Sequence, residues 1–71
     1  MTANEKEFDF TGHRVLLAED NALNREIAYE ILNLVHMEVD TAEDGQIAVN
    51  KFLENPIGTY DVILMDIQMP V

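Results

Sequence analysis

Cysteine is absent from this sequence, so no disulfide and no thiolate metal site can staple the fold. That absence fits a reducing compartment. The only histidines, His13 and His36, stand far apart with no metal-ligand spacing. A chain of 71 residues holds one small domain at most, burying roughly 60% of its unfolded surface. Basic residues are scarce too, four against fourteen acidic ones, for a net charge of −10. Such a surface repels phosphate backbones, which argues against direct contact with DNA or RNA. Long apolar runs are also missing. The longest, residues 15–18 and 62–65, fall far short of the ~20 residues that a membrane helix needs. The polar, acidic start of the chain is no signal peptide. These features predict a cytoplasmic protein that makes no contact with a membrane.

What is present is a hydrophobic content of 48%, enough for a folded domain. Residues 1–13 lack periodicity and read as a leader or linker that ends at Thr11-Gly12. The unbroken apolar run from Arg14 to Ala18 suits a strand covered on both faces. From Ala22 the period becomes helical. Leu23, Ile27, Ile31 and Leu34 form a stripe that Ala28, Leu32 and Val35 widen, and Asp20 or Asn21 can cap its start. The alternation from Glu38 to Ala42 predicts a strand near a sheet edge. Asp44-Gly45 then leads into a second helix with an apolar face of Ala48, Val49, Phe52 and Leu53, and Pro56 and Gly58 lie beyond its end. A last unbroken strand runs from Tyr60 to Met65 and meets Asp66.

Strands alternating with helices imply a parallel α/β sheet. With the alternating strand at the edge, the spatial order is 2-1-3, and right-handed crossovers place the two helices on opposite faces. The reversal of direction opens a crevice at the carboxyl ends of strands 1 and 3. Glu19 and Asp20 follow strand 1, and Asp66 follows strand 3. Three like charges in one crevice need a cation or a raised pKa, and an all-oxygen cluster suits Mg²⁺. The competing explanation, that each acid merely caps a helix in water, serves for Asp20 alone but less well for three acids at one crevice.

The segments Val15-Leu16-Leu17-Ala18-Glu19-Asp20-Asn21, Asp44-Gly45 and residues 62–70 (Val-Ile-Leu-Met-Asp-Ile-Gln-Met-Pro) together resemble two-component receiver domains. Their wording is most like the receiver of a hybrid sensor histidine kinase. The resemblance covers residues 14–71 and implies a flavodoxin-like, doubly wound sheet, of which β-α-β-α-β would be the N-terminal half. It further implies that Asp66 accepts a phosphoryl group from the phosphohistidine of a histidine kinase or histidine phosphotransfer domain. Asp20, Asp66 and the backbone carbonyl of Gln68 would bind Mg²⁺ directly, with Glu19 acting mainly through water. Met69-Pro70 would hold the loop that presents the Gln68 carbonyl.

The same resemblance leads one to expect two further strands, bearing a Ser or Thr and a Lys that contact the phosphoryl oxygens. These 71 residues supply neither, and Lys51 is carried away from the active end by the second helix. The chain is thus not expected to be a stand-alone enzyme. An interaction-only receiver is the alternative function. A flavin-binding domain is disfavoured because Glu19-Asp20 stands where a phosphate-binding Ser/Thr/Gly-rich loop belongs. His36 falls where the family usually has glycine, and a positive φ there costs a non-glycine residue of order 1 kcal/mol; it reads as a helix terminator, and His13 is equally unremarkable. The stretch from Asp40 to Gly45 echoes a calcium loop but lacks the acid at its twelfth position, Lys51. Finally, the wholly apolar third strand predicts that the isolated chain either is partly disordered or pairs with a second copy.

Overall fold

The computed structural model describes residues 9–66, and the backbone alone at Asp66. Five elements follow in order: β1 (Arg14–Glu19), α1 (Ala22–Leu34), β2 (Glu38–Ala42), α2 (Gly45–Glu54) and β3 (Val62–Asp66). The three strands are parallel in the order β2-β1-β3, with β1 between its neighbours. This is the expected α/β arrangement, a flavodoxin-like β-α-β-α-β sheet of order 2-1-3.

The central position of β1 follows from its composition. Val15, Leu16, Leu17 and Ala18 are at most 4% exposed. Because side chains alternate across a strand, Leu16 and Ala18 face one way and Val15 and Leu17 the other. Leu16 and Ala18 pack with Ala42 and with Ala48 of α2, flanked by Ile47 and Tyr60. On the opposite face Leu17 lines one groove with Ile27, Ala28 and Ile31 of α1. The two helices therefore cover opposite faces of the sheet.

Helix boundaries have local causes. Asn21 caps α1 by accepting the Asn24 amide at 3.0 Å, and Asp44 caps α2 by accepting that of Ile47 at 2.8 Å. Beyond α1, His36 adopts φ +65°, the left-handed conformation anticipated for this position, and its amide donates to the Asn33 carbonyl at 3.0 Å. The His36 ring Nδ1 lies 3.3 Å from an Asp9 carboxylate oxygen. Residues 9–13 are stitched to the body, with the Phe10 amide on the Val35 carbonyl and the Glu38 amide on that of His13.

Two expectations needed correction. The stripe of Leu23, Ile27, Ile31 and Leu34 is not what α1 buries: these residues are 48–79% exposed. Ala28, Leu32 and Val35, the residues that widen the stripe, are half-buried instead. On α2, likewise, Ala48 is buried while Val49, Phe52 and Leu53 remain exposed. A three-stranded sheet is narrower than the apolar face each helix presents. The third strand also starts at Val62 rather than Tyr60.

Tyr60 is diverted into a polar network. Its hydroxyl donates to Asp40 at 2.5 Å, and the Lys51 ammonium donates to the other Asp40 oxygen at 2.9 Å and to the Thr41 carbonyl at 2.6 Å. The network fastens edge strand β2 to the end of α2 and to the approach to β3. The Tyr60 hydroxyl, with help from Lys51, outweighs burial and holds the Asp40 carboxyl below its usual range. Burial first, and then the bond to Asp40, push the Tyr60 hydroxyl up to about 12.

A raised phenol pKa stabilises the fold fully below the unfolded value near 10, and this contribution disappears as pH rises through about 12. Equilibrium denaturation across that window should show a loss of stability, and Tyr60→Phe should remove that component. At neutral pH the same substitution should cost about 1 kcal/mol, since its partner Asp40 is only partly buried.

Candidate functional site at the carboxyl ends of the strands

In a parallel sheet all strands end on the same side, and both helices begin there. Glu19 closes β1, and its Cα partner across the β1–β3 ladder is Asp66, the last residue of β3. Asp20 follows Glu19 directly. The backbone thus brings the positions of all three expected acids to one end of the sheet. The Asp66 side chain and the whole of Gln68 lie outside the described residues. Among the described residues no three His, Asp or Glu side chains form a metal cluster.

The two acids of the β1–α1 turn are in different surroundings. Glu19 is 5% exposed, whereas Asp20 projects into water. One Glu19 carboxylate oxygen accepts the Asn21 amide at 3.1 Å, so the side chain folds back over its own turn. The Asn21 carbonyl accepts the Arg25 amide at 2.8 Å while the Asn21 side chain caps α1. Asn21 therefore serves the turn and the helix at once. The amino ends of α1 and α2 point toward this side of the sheet, and their dipoles favour negative charge there.

A cation that the sequence reading overlooked also serves this turn. One Arg25 Nη donates to the Glu19 carbonyl at 2.9 Å. Of the three described basic side chains, Arg14 pairs with Glu38 and Lys51 with Asp40, which leaves Arg25 as the one that reaches the acid end. A basic residue one turn into the helix that follows an acid pair was the available sequence signal.

The donor set suits a hard divalent cation. It comprises carboxylate oxygens with no nitrogen or sulfur, one half of the turn buried and the other open to water. Beside it runs a groove of about 380 Å³ lined by Glu19 and Asn24 together with Leu17, Ile27, Ile31 and Leu64. A larger concavity of about 550 Å³ lies away from the acids, toward the starts of β1 and β2, among Arg14, Tyr29, Asn33, His36 and Glu38.

The strand order 2-1-3, with a helix after each of β1 and β2, is the fold expected from the receiver resemblance. The response regulator receiver domain family matches residues 15–71. The chain belongs to that family. Among curated relatives, it is 46% identical over 59 residues to histidine protein kinase 1 of Candida albicans, covering 80% of this chain and 2% of the relative. It is 43% identical over 60 residues to a two-component response regulator of Oryza sativa subsp. japonica, covering 82% and 46%. It is 36% identical over 72 residues to the osmosensing histidine protein kinase of Saccharomyces cerevisiae, covering 97% and 6%. The chain thus spans less than half the length of each of these three relatives. No solved structure matches it significantly. Among the described residues, no helix is long and apolar enough to cross a membrane.

Asn21 offers a test of how the turn is held. Asn21→Ala removes the cap of α1 and should cost about 1 kcal/mol in denaturant unfolding, whereas Asn21→Asp or Asn21→Ser should restore most of it.

Proposed function

We propose that this receiver chain is a phospho-accepting module in which Asp66 takes a phosphoryl group from a phosphohistidine, with Mg²⁺ at the acidic end of the sheet. The observation that carries the reading is the register of Glu19 against Asp66, with Asp20 next in the chain. Asp20, Asp66 and the Gln68 backbone carbonyl would hold the ion directly, and Glu19 mainly through water. The ion would neutralise charge on the phosphoryl oxygens and on the acids themselves.

The remaining chemistry belongs to the chain. An Asp66 carboxylate oxygen forms the new bond to phosphorus as the phosphorus–nitrogen bond to imidazole breaks, and the released histidine nitrogen takes up a proton. The β1–α1 turn is tied by Asn21 and Arg25 and would hold Glu19 and Asp20 beside the acceptor. The donor would be a histidine kinase or a histidine phosphotransfer domain, in keeping with the names of the relatives. The acidic surface fits a signalling domain that does not touch nucleic acid directly. The cytoplasm is the compartment this reading requires.

One observation favours the interaction-only alternative for these 71 residues by themselves. Lys51 is engaged by Asp40 and Thr41 of the edge strand β2, so its ammonium is held on the far side of β1 from β3 and Asp66.

The metal reading predicts binding in the millimolar range or somewhat tighter. Titration with Mg²⁺ followed by amide NMR should perturb residues around Asp20, Asp66 and Gln68. Asp66→Asn should weaken binding markedly, and Glu19→Gln should do so less. Shifts confined to residues far from the β1–α1 turn would contradict the site.

The acceptor reading predicts one added phosphate. A five-stranded receiver beginning with these residues, treated with acetyl phosphate and Mg²⁺, should gain a single phosphate by intact mass, and Asp66→Asn should abolish it. The 71-residue chain should take up little or none. Efficient labelling of the 71-residue chain, or undiminished labelling of the Asp66→Asn form, would refute the assignment of roles.

A further inference from the structure

The direction of each β1 carbonyl follows from its hydrogen bonds. The Glu38 amide donates to the His13 carbonyl, and the Asp61 amide to that of Arg14. Because successive carbonyls alternate in direction along a strand, the odd-numbered ones face β2 and the even-numbered ones face β3. The Glu19 carbonyl therefore faces β2, but that strand ends at Ala42, opposite Ala18. The ladder stops short of Glu19. At this point the half-buried Arg25 side chain donates from Nη to the Glu19 carbonyl at 2.9 Å.

This bond bears on Asp20. The course of the backbone at a residue is set by the two planar peptide groups that flank it. The peptide before Asp20 contains the Glu19 carbonyl, which Arg25 holds. The peptide after it contains the Asn21 amide, which the Glu19 carboxylate accepts at 3.1 Å. The Arg25 amide also donates to the Asn21 carbonyl at 2.8 Å, so Arg25 holds the chain on both sides of Asp20. Asp20 itself is exposed, and among the described residues no hydrogen bond or ion pair holds its carboxylate. Where that carboxylate can reach thus depends on the two peptides.

We infer that Arg25 is a positioning residue for the cation-binding acids: its guanidinium fixes the Glu19–Asp20 peptide and so keeps Asp20 beside the end of β3. The inference rests on the Mg²⁺ reading given above. Charge and geometry act in opposite directions here. A guanidinium near the acids repels a divalent ion, so by charge alone its removal would tighten binding. By positioning, its removal weakens binding, because a carboxylate left free to sample other directions must be ordered again when the ion arrives.

Arg25→Met separates the two effects, since it removes the charge and the donor while keeping a strong helix former at that position. In a five-stranded receiver beginning with these residues, amide NMR titration should show Mg²⁺ binding about tenfold weaker in Arg25→Met. Arg25→Lys retains a charged donor and should recover most of that loss. In the metal-free protein, hydrogen exchange at the Asn21 amide should quicken in Arg25→Met. Exchange at the Ile47 amide, which Asp44 caps at the start of α2, should stay as it was. Arg25→Gln, equally uncharged, makes the same comparison if Arg25→Met does not fold. Unchanged or tighter Mg²⁺ binding in the uncharged variant, or no recovery in Arg25→Lys, would overturn the inference and leave the metal reading standing. Equal quickening at Asn21 and Ile47 would make Arg25 a general stabiliser and overturn it as well. If the unaltered receiver binds no Mg²⁺, the metal reading fails and this inference fails with it.

Discussion

A strand with neighbours along both edges and a helix over each face can leave nothing in water, and β1 is that strand. Its side chains from Val15 to Glu19 are all buried. Its amides and carbonyls are shared between β2 and β3, and both helices rest on it. Four consecutive apolar residues meet this demand, and the residue after them is where the demand stops. Glu19 stays within the strand but carries a carboxylate, so the turn has to supply its hydrogen bonds, and Asn21 does. The buried strand thus ends on an acid because a parallel sheet exposes its carboxyl ends, and the acidic site depends on that burial.

Polarity is distributed along the sheet in the same sense. Toward the strand starts, Arg14 pairs with Glu38, the Arg14 amide donates to Asp61 at 2.8 Å, and His13 lies 3.5 Å from Asp61. Acids there are matched by basic groups at close range. At the carboxyl ends Arg25 donates to the Glu19 carbonyl, which fixes the turn that carries Glu19 and Asp20.

Residue patterns rendered the strands and helix starts legible because each rests on a local cause. Runs without alternation gave β1 and β3, alternation gave β2, and Asn21 and Asp44 stand where a side-chain acceptor is needed. His36 was legible for a similar reason, since the chain must reverse its twist after α1 before entering β2. The face that α1 buries was not legible. Its apolar surface spans more than the sheet beneath can cover, so periodicity alone could not separate Ala28, Leu32 and Val35 from Ile27 and Ile31. The Tyr60–Asp40–Lys51 network was missed because it joins residues far apart in the sequence, and a tyrosine before an apolar run reads as part of the strand.

The acid site was legible through topology rather than through any one residue. Glu19, Asp20 and Asp66 are ordinary in isolation; they acquire meaning when order 2-1-3 sets β1 and β3 side by side in parallel. A slip of one residue in the β1–β3 ladder would move Asp66 out of register with Glu19 and turn the apolar residues of β3 to the wrong faces at once. The hydrophobic pattern that fixes the register for packing therefore also fixes where the Asp66 backbone lies, so packing of the core and placement of the acids depend on the same ladder.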